Sequence, residues 1–156
     1  TMGGMTILPD MKLEDVKPSE SSMLIITGGI NWDANPDLLT GALEKAEEFL
    51  ASNVPIAAIC GATAGLARAG ILDHRYHTSN SPDYLAMTDY KGANYYKNEL
   101  AVLDDNVITA SVVEALEYAY RIFHKLDLFT DEVLENWYKL FKTGDPEYFM
   151  KMQSKA

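Results

Sequence analysis

An α/β fold built on a largely parallel sheet is what this sequence predicts, and three observations carry the prediction. Apolar runs alternate with segments of helical spacing through most of the chain. The run at residues 54–59, Val-Pro-Ile-Ala-Ala-Ile, has no polar alternation, as befits a central strand covered on both faces. Two runs stop abruptly, one at Gly28-Gly29 and one at Cys60-Gly61-Ala62, and in a parallel sheet both ends open on the carboxyl edge where such folds bind ligands. At 156 residues, 47% of them hydrophobic, the chain fits one domain with a substantial core.

Taken in order, residues 5–8 read as a short strand, Pro9-Asp10 as a turn and residues 17–20 as a loop. Residues 23–26 form the next strand, ended by the glycine pair. Asn35-Pro36-Asp37 supplies an N-cap, a first-position proline and a first-turn acid, so a helix is predicted from there to about Ser52. Its apolar face is Leu38, Leu39, Ala42, Leu43, Ala46, Phe49 and Leu50. The strand at residues 54–60 follows, then a small-residue helix stopped near Ala69-Gly70. Residues 76–79 read as a short strand and Ser81-Pro82-Asp83 as a helix start. Residues 99–103 and 107–110 are two strands joined by the polar turn Asp104-Asp105-Asn106. Two helices follow. The first, from about Val112 to His124, is expected to bury Val113, Leu116, Ala119 and Phe123; the second starts after Thr130 and ends at Gly144. Tyr148, Phe149 and Met150 predict that the segment at 146–152 docks on the domain or on a second subunit.

The chemistry of the chain is concentrated at Cys60, its one cysteine. A buried strand that breaks into a helix with a thiol at the break has the geometry of a nucleophile elbow. The turn must be tight, so the residues two before and two after must be small, and they are Ala58 and Ala62. A helix starting at the thiol aims unpaired N–H groups and a positive dipole end at the sulfur, which stabilises negative charge there. The N–H of Gly61 is then placed to meet an oxyanion formed on a bound carbonyl, and a second donor is expected from the bare backbone of Gly28-Gly29. The alternative reading of the same residues is a small buried hydrophobe, because free cysteine is among the most buried residue types.

Charge and composition narrow the partners. A net charge of −10 with no basic stripe argues against nucleic acid, whose binding relies on clustered Lys and Arg. No apolar stretch approaches the roughly 18 residues of a membrane span. One cysteine permits no internal disulfide, so a reducing cytoplasm is the expected setting. Three histidines, His74, His77 and His124, without ligand-like spacing predict no metal site, and nothing calls for a cofactor. A small-molecule substrate is the expected partner.

The strand end Thr27-Gly28-Gly29, the run Ala57-Ala58-Ile59-Cys60-Gly61-Ala62-Thr63, His77-Thr78-Ser79-Asn80 and Val107-Ile108-Thr109-Ala110 together resemble the DJ-1/PfpI family of the class I glutamine amidotransferase-like superfamily. The resemblance spans nearly the whole chain. It implies a flavodoxin-like three-layer sandwich, a reactive elbow cysteine and a homodimer. It matches Cys60 to the family nucleophile, and Gly29 and Gly61 to the positions whose backbone groups face the bound oxyanion. Gly28 and Asn80 fall at the pocket. Three departures stand out. Many members place a histidine directly after the cysteine, where this chain has Gly61; a histidine on the following strand is replaced by Asn80, with His77 three residues earlier. Members also begin with a strand and helix bearing a glutamate that this chain does not show, so a preceding segment is expected in the natural protein.

His77 is the candidate general base, provided its ring reaches Cys60. Asp33 and Trp32, just after the glycine pair, are expected at the pocket mouth. Two functions remain: a cysteine hydrolase of peptidase, amidase or glyoxalase/deglycase-like type acting on a small carbonyl or amide substrate, and a non-catalytic redox sensor using reversible oxidation of Cys60.

Overall fold

The Ile-Ala-Ala-Ile segment of residues 56–59 is buried on both sides because strand side chains alternate faces and each face here meets a helical layer. In the computed structural model, which describes residue 1 and residues 3–153, β1 (Leu24–Ile26), β2 (Ile56–Ile59), β3 (Ala101–Asp104) and β4 (Val107–Ala110) form one sheet in the order β1-β2-β4-β3. β1, β2 and β4 are parallel, and β3 returns antiparallel along β4. Ile56, Ala58 and Val107 point to one side, against Ala46 and Phe49 of α2 (Thr40–Ala51) and Ala62 and Leu66 of α3 (Gly61–Arg68). Ala57, Ile108 and Ala110 point to the other, against Tyr118 and Ile122 of α5 (Ala115–Lys125). This is the flavodoxin-like α/β sandwich, with helices on both faces of a mainly parallel sheet. Two short helices complete the carboxyl edge: α1 (Asn31–Ala34) after β1, and α4 (Pro82–Ala86) after α3.

Several expectations are met at their caps. Ser81 accepts the N–H of Tyr84 at the start of α4. Thr130 accepts the N–H of Val133 at the start of α6 (Asp131–Thr143), and Gly144 ends that helix in the left-handed region. Gly70, at φ +73°, closes α3.

Others are corrected. Residues 5–8 form no strand and are exposed, since no neighbouring strand pairs with them among the described residues. Residues 76–79 reduce to an isolated bridge between His77 and Tyr96. Asn35 makes no side-chain cap; residues 36–39 wind as a 3-10 turn, so Leu38 points to solvent and the α-helix begins at Thr40. α5 begins at Ala115 and leaves Val113 78% exposed, while its buried residues are Glu117, Tyr118 and Ile122. A glutamate sits on that face because Lys142 and Tyr138 of α6 both donate to its Oε1. Burial raises the Glu117 carboxyl, but those two donors outweigh burial and hold it down at about 2. α7 (Pro146–Gln153) does dock, on α6, with the Tyr148 ring near Lys139 and Lys151; Phe149 and Met150 stay exposed. No helix among the described residues is long and apolar enough to cross a membrane.

Candidate functional site

The bend after β2 is backbone-strained at the thiol. Cys60 has φ +59° and ψ −128°, a region a non-glycine residue occupies at a cost of about 1–3 kcal/mol and keeps only when its surroundings over-determine it. They do. Its N–H donates to Ala110 of β4 at 3.1 Å, extending the sheet by one bond. Its carbonyl accepts from the N–H of Thr63 at 3.1 Å and from the Thr63 hydroxyl at 2.6 Å, and that buried hydroxyl also pairs with Ser79 at 2.6 Å. Ala58 and Ala62, both fully buried, leave room for the chain to fold back.

The glycines shape what the sulfur meets. A Cβ on Gly28 would lie 2.7 Å from Cys60 Cβ and 3.1 Å from Sγ, so the strand end passes directly against the thiol. Gly29 faces open space, with no atom within 4 Å of such a Cβ, and no backbone carbonyl among the described residues accepts its N–H. Gly61 opens α3, so its N–H is one of the helix donors without an intrahelical partner. The structure thus brings Cys60, Gly28, Gly29 and Gly61 to one corner of the carboxyl edge. The groove of about 590 Å³ that includes Gly28 and Gly29 runs along the outer side of β1 and not over the sulfur.

Trp32 locks this corner. It is 4% exposed, its indole N–H donates to the Thr27 carbonyl at 3.0 Å, and its side chain lies where any Cβ on Gly61 or Gly65 would fall. Arg68 donates to the Trp32 carbonyl at 2.8 Å, tying α1 to α3. Trp32 is therefore a buried keystone of the corner, and Asp33 stands exposed beside it.

Among the described residues, Asn80 is the one side chain that hydrogen-bonds the sulfur: its Nδ2 lies 3.9 Å from Cys60 Sγ, a long N–H···S contact. The N–H of Val112 donates to Asn80 Oδ1 at 3.0 Å, which fixes the amide so that its donor end faces the thiol. An amide can steady a thiolate; it cannot accept the thiol proton.

His77 is not brought to Cys60. The ring is fully buried, with Nδ1 against the Arg75 carbonyl at 2.7 Å, Nε2 against the Tyr90 hydroxyl at 3.3 Å, and edge contacts to Tyr90 and Tyr96. Its spacing from Asn80 gave no sign of this, because the strand assumed for residues 76–79 turns inward as a single bridge. Burial lowers its pKa more than the Arg75 carbonyl and Asp73 raise it. The folded value thus lies below the unfolded one of about 6.5, so the unfolded chain binds more protons in the window beneath 6.5 and stability falls there as pH drops. Unfolding by urea should show a lower midpoint at pH 5 than at pH 7, and His77→Gln should flatten the difference.

Sequence reasoning missed Tyr84. Its hydroxyl donates to Asp33 Oδ1 at 2.8 Å, joining α4 to α1 across the corner that holds Cys60. No local pattern announces a contact between residues 51 positions apart.

The chain belongs to the DJ-1/PfpI family, which matches residues 1–125. It is 42% identical over 156 residues to the uncharacterized protease YoaZ of Bacillus subtilis, spanning 99% of this chain and 73% of that one. It is 30% identical over 133 residues to the uncharacterized protease YdeA of the same organism, spanning 83% of this chain and 64%, just under two thirds, of that relative. Among solved structures, the ThiJ/PfpI family protein from Bacillus anthracis superposes with a TM-score of 0.92 at 41% identity, covering 98% of this chain and 72% of that one. The DJ-1 superfamily protein Atu0886 from Agrobacterium tumefaciens gives 0.79 at 29%, covering 90% and 74%. The helices beyond the family span, α6 and α7, lie within the stretch shared with the Bacillus anthracis protein.

Proposed function

We propose that the protein is a cysteine-dependent hydrolase acting on a small carbonyl or amide substrate, with Cys60 as nucleophile and the N–H groups of Gly29 and Gly61 as oxyanion donors. The observation that carries this reading is the half-buried thiol held at a strained positive φ, with backbone donors and an oriented amide around it. The sulfur attacks the carbonyl carbon, the carbonyl electrons move to oxygen, and the two N–H groups take up the charge. Collapse expels the amine or alcohol, which departs carrying the proton the Cys60 thiol gave up on attack, and leaves a thioester on Cys60, which water then hydrolyses to the acid and the free thiol. Two relatives carry the name protease, which makes peptide bonds the first amides to try.

Turnover tests the reading. The purified protein and Cys60→Ser are assayed on activated esters, short peptides and 2-oxoaldehydes; a drop of at least about 10³-fold in the variant is expected from loss of the nucleophile. Equal rates would remove the hydrolase. The absence of an imidazole at the sulfur, among the described residues, favours a second reading, reversible oxidation of Cys60 to a sulfenic acid in a redox sensor. Peroxide titration followed by intact mass separates the two, since the sensor oxidises without turning over any of these substrates.

A further inference from the structure

At an ordinary helix start the N-cap side chain folds back to accept an N–H two or three residues on. At α3 the Cys60 sulfur makes no such bond. The Cys60 carbonyl takes the Thr63 N–H at 3.1 Å and the Thr63 hydroxyl at 2.6 Å, so the thiol is not spent on the cap. That hydroxyl has a second neighbour, the Ser79 hydroxyl at 2.6 Å, and Thr63 and Ser79 are both buried. The direction of the chain follows from its protons. A carbonyl can only accept, so the one Thr63 O–H points at Cys60, and Ser79 donates to Thr63. Ser79 is itself held in place from both sides. Thr78 before it donates its N–H to the Thr109 hydroxyl on β4 and its own hydroxyl to the Glu99 carbonyl, and Asn80 after it accepts the Val112 N–H.

The carbonyl at the end of this chain shares one planar trans peptide with the Gly61 N–H, and the two point in opposite directions. Two donors that fix the oxygen therefore fix the line along which the Gly61 N–H projects from the start of α3. Hydrogen bonds in series also polarise one another, which makes the amide at the end a better donor. We propose, resting on the hydrolase reading above, that Thr63 and Ser79 are positioning residues for the oxyanion, their linked hydroxyls aiming and polarising the Gly61 N–H. In acylation the Cys60 thiolate bonds to the carbonyl carbon and the C=O electron pair moves to oxygen, where the aimed N–H meets it. Collapse returns the pair and expels the leaving group. No proton travels along the hydroxyl chain, so Thr63 and Ser79 act through the Gly61 amide alone.

Two reagents separate this role from a general support of the thiol. p-Nitrophenyl acetate acylates the sulfur through an oxyanion; iodoacetamide alkylates it by displacing iodide at a saturated carbon, with no oxyanion formed. With one cysteine in the chain, both reactions read Cys60. Wild type, Thr63→Val, Thr63→Ser and Ser79→Ala are treated with each reagent from pH 5 to 9, and acetyl-Cys60 and carbamidomethyl-Cys60 are followed by intact mass. Loss of an oxyanion donor outright costs about 10²–10³-fold, so a donor kept but no longer aimed should cost about 10-fold. Thr63→Val is therefore expected to acylate about 10-fold more slowly while its alkylation rate and pH profile match wild type. Thr63→Ser, which keeps the hydroxyl, should restore acylation, and Ser79→Ala should show a smaller loss of the same kind. Wild-type acylation in Thr63→Val would overturn the proposal and leave the hydrolase standing. An equal fall in acylation and alkylation would overturn it too, because the hydroxyls would then serve the sulfur and not the Gly61 N–H. A wild type that alkylates but never acylates would take down the hydrolase reading and this role with it. Should Thr63→Val fail to fold, Ser79→Ala decides by the same two rates, since it leaves the Thr63 bond to the Cys60 carbonyl in place.

Discussion

Gly28→Ala is expected, on the proposed hydrolase reading, to cut turnover of an activated ester by about 10²-fold or more, the scale of loss that follows a misplacement of about 1 Å at a reacting group. The new methyl has nowhere to go. It would stand 2.7 Å from Cys60 Cβ, 3.1 Å from Sγ and 3.3 Å from the Ile59 carbonyl, and two of these are fixed by the strand and the strained bend. Either β1 or the elbow must shift, and each carries half of the site: β1 leads to Gly29, and the elbow carries the sulfur and Gly61. Overpacking of this kind costs about 1–3 kcal/mol, so a modest fall in melting temperature should accompany the kinetic loss. Gly29→Ala is the stability control, since its methyl meets nothing within 4 Å. Its melting temperature should match wild type. A Gly28→Ala protein with unchanged turnover would mean that the sulfur does not depend on this contact.

How much of this was legible in the sequence depends on the range of the interaction. The elbow could be read because its causes are local: an uninterrupted apolar run, then a thiol, then glycine and alanine, all within a few residues. The caps of α4 and α6 were legible for the same reason. The face of α5 was not. Periodicity counts Glu117 as polar and sends it to solvent, whereas the fold supplies Lys142 and Tyr138 from α6 to hold its charge, and the buried stripe rotates to Glu117, Tyr118 and Ile122. Residues 5–8 failed differently. Four residues of strand-like composition form a strand only if an edge is there to pair with, and composition does not contain that fact.

At the site, the same division holds. Cys60, Gly28, Gly29 and Gly61 come together because strand ends on one carboxyl edge are neighbours by topology, and Asn80 is held beside them by the N–H of Val112 after β4. His77 leaves the site because aromatic neighbours from residues 90 and 96 close over it. Tyr84 enters because Trp32, on a different element, brings Asp33 within hydrogen-bond reach. Long-range packing decides both, and neither leaves a trace in local spacing.

The second large effect is expected at Gly65, where helix propensity and packing disagree. In an isolated helix Gly→Ala would gain about 1 kcal/mol. Here the added Cβ would fall 2.2 Å from Trp32 Cζ3 and 2.5 Å from Cε3, inside a rigid ring that is itself 4% exposed and pinned through its N–H to Thr27. The clash is too deep for a small adjustment, so the ring or the helix must move, and the net result should be destabilisation of about 1–3 kcal/mol with loss of activity. On the hydrolase reading activity falls because Trp32 sets the position of α1, and with it the chain leading back to Gly29. A double-mutant cycle isolates the cause. Trp32→Leu removes the offending ring atoms, so Gly65→Ala should cost less in that background than in wild type, with a coupling of about 0.5–3 kcal/mol in urea denaturation. Strict additivity would mean that Gly65 is needed for a reason other than the indole that lies across it.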